Sequence, residues 1–346
     1  MKQIKKVLAL LVAGCLLLGM VGCQSKPEPP APASAASTAP APSSEAPKSE
    51  APAETKNDFM VAYIAKNTVD AFHATLNAAA KESLDKLVAS GEIGSWNLYD
   101  GLTDPVTQCN LLEDAINMGA DLVIILPAES AGCAPILERC KEKKIPCVVV
   151  NSKTDNTDSL ATAYVGSNDV QAGEMMAKFI QEKVPNGGGY GHLQGIIGNS
   201  AQIDRGTGLH NILDKDSKWT LLDGCEQTAE WQAEKAVKFG EDWLAKYGEK
   251  LNAIICDNDD MSSAVQTAMN AANRKDIVCI GVDGNKGPMT MVKNGELLAT
   301  VYQDGAAQVS KAIELGAKVL KGETVDKETM VDFVMITTAN VDQYLK

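Results

Sequence analysis

Planar hydrogen-bonding side chains and flat rings recur in this sequence immediately after short apolar runs. Asn67, Asp70, Phe72 and His73 follow the run that ends at Ala65, Asn151 closes Ile145-Pro-Cys-Val-Val-Val-Asn151, and Asn199 and Arg205 come after the stretch ending at Gly198. Further on, Trp231 follows Gln227-Thr-Ala-Glu230, while Asn258, Asp283 and Gln303 follow the runs ending at Asp257, Val282 and Tyr302. In open α/β sheets ligands bind beyond the carboxyl ends of the strands, so these are the positions where chemistry collects. Carboxylates, amides and a guanidinium pair with adjacent hydroxyls, and rings cover C–H faces, which together suit a pyranose. Asp70 and Asp283 would accept from hydroxyl pairs, Arg205, Asn151, Asn258 and Gln303 would donate, and Trp231 and Phe72 would cover the faces. Asn67, His73 and Asn199 are further candidate contacts.

Each residue also has a plainer role. Asp70 can cap the first helix and Asn258 the helix over Met261–Asn273. Arg205 can lie on a helix surface beside Asp204, Trp231 can be a core aromatic at a helix start, and Asp283-Gly284 can be only a turn. The reading rests on their shared position at strand ends.

The elements that must position them form a regular alternation. From Phe59 onward, short β-branched runs alternate with amphipathic stretches of ten to fifteen residues, the pattern of βαβ units and a parallel sheet. Strands are expected at 60–65, 96–99, 121–126, 146–151, 163–166, 192–197, 220–222, 252–256, 277–282 and 298–303. Ten units exceed one ordinary open sheet, so two doubly wound lobes are expected. The chain should cross between lobes near Val165–Asn168, near Gln303-Asp304 and close to Asp332. That divides it into an N-terminal lobe, 59–167 plus 304–331, and a C-terminal lobe, 168–303 plus 332–346. Gly187-Gly-Gly-Tyr-Gly191 precedes a strand instead of opening a helix, and so reads as a turn, not a phosphate cradle.

The first 58 residues are of another kind. Lys2, Lys5 and Lys6, an apolar stretch over Val7–Val21 and Gly22-Cys23 have the order of an export signal, and the apolar run is too short to span a bilayer. Residues 1–22 are read as the signal. Cys23 then becomes a lipidated N-terminus that anchors the chain outside the cytoplasm; Cys15 is the rival cleavage site, and a plain secretory peptide the rival reading. Residues 23–58 continue as a tether rich in Pro, Ala and Ser, with eight of the fourteen prolines in Gln24–Asp58, unable to bury a core.

Charge and composition exclude several classes. The whole chain has a net charge of −13, and removing the three signal lysines leaves the remainder near −16, which argues against a nucleic-acid partner. The seven cysteines beyond Cys23 are odd in number and lack C-x-x-C spacing, a poor metal or disulfide framework; export favours disulfides, but no pair is assigned, and no metal or cofactor is expected. Cys147, Cys256 and Cys279 lie in apolar runs and read as buried free thiols. Nothing matches G-x-S-x-G, H-E-x-x-H or a P-loop, and Lys66-Asn-Thr-Val-Asp70 lacks the glycines a dinucleotide enzyme carries after its first strand. An enzyme is not expected.

Six stretches in order carry a resemblance: Ile145 to Asn151, Tyr164-Val-Gly-Ser-Asn168, Gln227 to Trp231, Cys256-Asp-Asn-Asp-Asp-Met261, Gly281-Val-Asp-Gly284 and Leu298 to Gln303. The whole of 59–346 resembles the type I periplasmic sugar-binding proteins of ABC importers, the ribose and glucose/galactose group. The resemblance implies that Asp70, Phe72, Asn151, Arg205, Trp231, Asn258, Asp283 and Gln303 contact a monosaccharide. It also implies closure about three crossing segments, importer membrane subunits as partners, and a monomer. Asn151-Ser152 stands where ribose binders carry Asp-Arg, and Trp231 where they carry Phe, which favours a hexose of the glucose/galactose kind. Asn199 and Ala201 depart from that branch, and no calcium loop is visible between Lys183 and His192. A sugar-responsive repressor shares this fold, but a signal and tether stand where its helix-turn-helix would be. A sensory receptor for a sugar or furanosyl signal, feeding chemotaxis or a kinase, is the alternative.

Overall fold

A computed structural model describes residues 58–345; the expected signal, Cys23 and nearly all of the tether lie outside the described residues. In the first half, β1 (Met60–Ala65), α1 (Ala71–Ala89), β2 (Ser95–Asp100), α2 (Pro105–Asn117), β3 (Leu122–Ile125), α3 (Ala134–Lys143), β4 (Cys147–Asn151), α4 (Thr157–Leu160) and β5 (Ala163–Gly166) follow in strict alternation. The second half holds α5 (Asp169–Lys183), β6 (Gly188–Gln194), α6 (Ser200–Leu213), β7 (Trp219–Thr228), α7 (Ala233–Tyr247), β8 (Leu251–Cys256) and α8 (Asp259–Ala271). It continues through β9 (Val278–Ile280), β10 (Val282–Asp283), α9 (Lys286–Asn294) and β11 (Thr300–Tyr302). The chain ends with α10 (Gly305–Leu320), β12 (Glu328–Met330), β13 (Val334–Ile336) and α11 (Val341–Tyr344).

The N-terminal lobe is one parallel sheet in the order β12-β5-β4-β3-β1-β2. Its central strands are buried on both faces, as a sheet covered by helices on each side requires. Val61, Tyr63 and Ala65 enter one core cluster and Met60, Ala62 and Ile64 the other, the two-residue period of a strand. The C-terminal lobe repeats this with β7-β6-β8-β9, all parallel, and with β10-β11-β13 continuing the chain past Gly281. Within that second set β13 runs antiparallel to β11. Two further clusters cover the faces of this lobe.

Three segments cross between lobes, from β5 to α5, from β11 to α10 and from β12 to β13. They are tied together. Ser167 Oγ donates to the Val331 carbonyl at 2.6 Å, Gln308 Nε2 donates to Ser167 Oγ at 2.7 Å, and Asn151 Nδ2 donates to Gln308 Oε1 at 3.0 Å. This polar chain joins two crossings to the carboxyl end of β4, so the hinge and the strand-end residues share one hydrogen-bonded network.

Two expectations are corrected. The strand expected at 192–197 is β6, Gly188–Gln194, and Gly188–Gly191 is strand, not turn. The glycines belong there because neighbours approach closely: a Cβ on Gly188 would lie 2.1 Å from Asn252 Oδ1, and one on Gly191 2.4 Å from the Trp243 ring. The short strands β12 and β13 were not expected at all; Glu328–Met330 is an exposed edge without an apolar pattern.

Candidate functional site

The carboxyl ends of the strands of both lobes face one cavity of about 350 Å³. Asp70, Phe72, Asn151, Arg205, Trp231, Asn258, Asp283 and Gln303 all line it, and so do Asn67, His73 and Asn199. Sequence reasoning passed over Lys66, Thr103, Ser152, Glu230 and Asp260, which line it too. Lys66 was discoverable as the first polar residue after β1. Asp260 sits in the Asn258-Asp-Asp cluster that reads on its face as a helix cap.

From the N-terminal lobe, Asn67 organises the turn after β1. Its Oδ1 accepts from the backbone N–H groups of Val69 and Asp70, both at 3.1 Å, and its Nδ2 donates to Asp70 Oδ2 at 2.6 Å and Thr103 Oγ1 at 2.9 Å. Asp70 does cap α1, accepting from the His73 N–H at 2.7 Å, while also lining the cavity. Its carboxylate also faces His73 Nδ1 at 2.8 Å. A carboxylate only accepts, so Nδ1 carries the proton and Nε2 is left as an acceptor. Burial raises the Asp70 carboxyl, but the hydrogen bonds and charge of His73 and the Asn67 amide outweigh it and hold it below the usual carboxylate range. Burial holds His73 below its ordinary value.

The C-terminal lobe supplies the guanidinium and the indole. Arg205 lies on α6, only 4% exposed, with Nε donating to Asp169 Oδ1 at 2.8 Å, Nη1 to the Asp257 carbonyl, and Nη2 to Gln303 Oε1 at 3.2 Å. Those bonds use three of its five N–H groups and leave two. The plainer reading of Arg205 as a surface residue paired with Asp204 is thereby corrected: the pair is Asp169, and it is buried. Trp231 lies in the loop before α7, packed on the C-lobe core, with its ring seated against Gly195, where a Cβ would come within 2.1 Å of the indole. Asn258 caps α8 through the Met261 N–H at 3.1 Å and also lines the cavity. Asp283 ends β10; burial and the neighbouring Asp259 carboxylate push its carboxyl well above the ordinary value.

Asn199 has a further task. It caps α6, and its Nδ2 donates across the cleft to the Ala128 carbonyl at 3.0 Å and to Ser152 Oγ at 3.3 Å. Ser130 N–H to the Gly198 carbonyl, at 2.9 Å, and Lys153 N–H to Ser200 Oγ, at 2.8 Å, join the same lobes. The lobes are therefore latched together in the structure.

Backbone strain gathers at this cleft. Among the described residues eight non-glycine residues have positive φ, and six of them, Leu102, Thr103, Asn151, Glu230, Trp231 and Asp283, line the cavity. Such conformations cost on the order of 1–3 kcal/mol each and persist where a site over-determines them. All seven cysteines of the described residues are free thiols, six of them buried. Among the described residues no helix is long and apolar enough to cross a membrane.

Two α/β lobes, a three-segment hinge and a polar cleft at their strand ends define the architecture of a solute-binding protein. The sequence pattern described as periplasmic binding protein domain matches residues 61–324. The chain is 28% identical to the xylitol-binding protein of Mycolicibacterium smegmatis over 76% of its own length and 74% of that protein. It is 30% identical to the ribose import binding protein of Bacillus subtilis over 66% of its length and 73% of the relative. A Bacillus halodurans ABC transporter solute-binding protein with bound myo-inositol superposes with a TM-score of 0.78 at 24% identity, covering 84% of this chain and 98% of the other. The chain belongs to the periplasmic binding protein family, as a type I extracytoplasmic solute-binding protein of the sugar-binding, ABC-importer superfamily.

Proposed function

We propose that the cleft captures one monosaccharide, a hexose of the glucose/galactose kind, and that the chain presents it to the membrane subunits of an importer. The observation that carries this is a set of orphaned polar atoms. Four buried side-chain N or O atoms among the described residues have no hydrogen-bond partner, and three of them, His73 Nε2, Trp231 Nε1 and Gln303 Nε2, belong to residues lining this cavity. An unpaired buried polar group costs about 1–3 kcal/mol, so a ligand bearing both donors and acceptors recovers that cost. A hydroxyl donates to His73 Nε2 while oxygens accept from the indole and the Gln303 amide; a polyol offers both on every side.

The size supports the reading. About 350 Å³ lies at the low end of small-molecule sites, fitting one sugar ring and not an oligosaccharide. Asp70 and Asp283 then accept from hydroxyl pairs, Arg205 donates its two free N–H groups, and Trp231 and Phe72 flank the ring. Asn151 contributes its remaining N–H, since the other is held by Gln308. Contacts from both lobes supply the differential affinity that favours the latched form. In this reading Cys23 carries the lipid anchor, residues 23–58 the tether, and the protein acts as a monomer.

The test is a thermal-shift and calorimetric screen of the purified chain against pentoses, hexoses, inositols and amino acids. A hexose should raise Tm most. A response to amino acids alone would overturn the substrate class, and a response only to pentoses or inositols would overturn the hexose.

A further inference from the structure

Away from the cleft, the C-terminal lobe brings together two histidines and a glutamate that the sugar site does not use. His192 lies on β6 and Glu226 on β7, and the two are paired directly across the ladder. His210 reaches them from α6. Among the described residues this is the one cluster of three such side chains whose ligating atoms all fall within 4.8 Å of one another.

The outer contacts of the two imidazoles orient them. His192 Nε2 faces Asp257 Oδ1 at 2.9 Å, with both side chains fully buried. His210 Nδ1 faces Asp214 Oδ1 at 3.2 Å. Carboxylates accept and do not donate, so each outer nitrogen carries its proton. The two inner nitrogens, His192 Nδ1 at 3.0 Å and His210 Nε2 at 2.9 Å, converge on the same oxygen, Glu226 Oε1. A carboxylate behind each ring orients it, and the two inner nitrogens, which donate to the shared Glu226 oxygen without metal, present lone pairs once a cation displaces those protons, the arrangement by which proteins prepare histidines for a metal.

We propose that His192 Nδ1, His210 Nε2 and one Glu226 oxygen form a binding site for a single first-row transition cation of the Zn²⁺ class. Two imidazoles and a carboxylate suit Zn²⁺, Co²⁺, Ni²⁺ or Cu²⁺, whereas Ca²⁺ takes six or more oxygens. Bonds of about 2.0–2.1 Å in a tetrahedral site separate the ligating atoms by roughly 3.3 Å, so each nitrogen needs to part from the Glu226 oxygen by only a few tenths of an ångström, while the two nitrogens already lie within 4.8 Å of each other. His192 is sealed, while the side chains of His210 and Glu226 are 31% and 33% exposed, leaving an open side for entry and for a water ligand. The cation would tie α6 to β6 and β7, taking the place of protons shared between the rings and Glu226.

The experiment uses the purified full-length chain, stripped with a chelator and titrated with Co²⁺ and then Zn²⁺. The expected result is one equivalent of Co²⁺ with intense visible d–d bands of tetrahedral or five-coordinate type, displaced by one equivalent of Zn²⁺ and not by Ca²⁺. Thiolate charge-transfer absorption should be missing, which separates this site from the free cysteines. His210→Ala and Glu226→Gln should abolish the bands, and Asp214→Asn, at an exposed position behind His210, should weaken binding about 10-fold. Far-UV circular dichroism and a cooperative thermal transition in each variant report that it has folded. An unaltered aqueous Co²⁺ spectrum, a thiolate band, competition by Ca²⁺, or full binding by folded His210→Ala would each overturn the proposal.

Discussion

The Lys66 ammonium of the N-terminal lobe stands 5.1 Å from the centroid of the Trp231 ring of the C-terminal lobe. Together they close the cleft from opposite sides. Burial lowers the Lys66 amine to about 8, an effect partly offset by Asp70 and Asp283 and reinforced by Arg205. The folded value lies below the unfolded value of 10.5, so between about pH 8 and 10.5 the unfolded chain binds more protons and the group adds stability as pH rises. Sugar affinity should move the other way, because the charged amine is the better donor to a sugar oxygen and is lost through the same region. Calorimetry from neutral pH to about pH 9.5 should show roughly 10-fold weaker binding at the alkaline end in the wild type. Lys66→Met should bind weakly at both ends, with the pH dependence removed; an unchanged slope would place the titration elsewhere.

Gly195 sets where the indole lies. Because a Cβ there would come within 2.1 Å of the Trp231 ring, Gly195→Ala must displace the ring from its seat beside β6. Gly195 is at the cleft end of the strand, so the lobe should still fold. Binding should weaken by about 2 kcal/mol or more, the loss typical of a misplaced aromatic anchor, and Trp231→Ala should weaken it at least as much. Quenching of tryptophan fluorescence by sugar would report both; wild-type affinity in Gly195→Ala would show that the ring has room to spare.

Asp283 and the neighbouring Asp259 show stability exchanged for binding. Burial is the main cause for both, and Asp259 is pushed up to about 6. A carboxyl whose folded value is raised binds more protons in the native state, so stability falls as pH rises from the unfolded value of 3.8 toward the folded one. Asp283→Asn removes that penalty and should raise the Tm of the sugar-free protein at neutral pH. The same change exchanges a full acceptor for an amide and should cost about 10- to 100-fold in sugar affinity. Scanning calorimetry with and without sugar separates the two effects, and a lowered sugar-free Tm would sink the argument.

Much of this was legible because the central strands are buried on both faces. Met60–Ala65, Leu122–Ile125 and residues 147–150 write as unbroken apolar runs, and the polar residues that follow fall at the cleft because strand ends do. Gly188–Gly191 hid the start of β6, since its reason for being strand is the distant Asn252 and Trp243. Glu328–Met330 pairs only at the sheet edge through backbone hydrogen bonds, which leave no apolar trace in the sequence. Lys66 was passed over for a chemical reason: an ammonium in a buried cleft is costly, and only the folded surroundings of Asp70, Asp283 and Trp231 make it tolerable.

The latch at Asn199 gives the last prediction. Its amide spans the lobes to Ala128 and Ser152 while its Oδ1 caps α6 through the Ala201 N–H at 3.1 Å. Asn199→Asp keeps the cap, sets an acceptor against the Ala128 carbonyl and leaves the Ser152 hydroxyl to donate in the other contact. Helix stability is therefore spared while the closed arrangement loses the bond to the Ala128 carbonyl and gains a repulsion there. Small-angle scattering should show the sugar-free variant more extended than the wild type, and sugar should bind roughly 10-fold more weakly because closure has become uphill by about 1–2 kcal/mol. Asn199→Ala loses the cap as well and should add a drop in Tm of a few degrees, from about 1 kcal/mol of capping energy. Equal scattering profiles for wild type and Asn199→Asp would mean that closure is held by Ser130 and Lys153 alone.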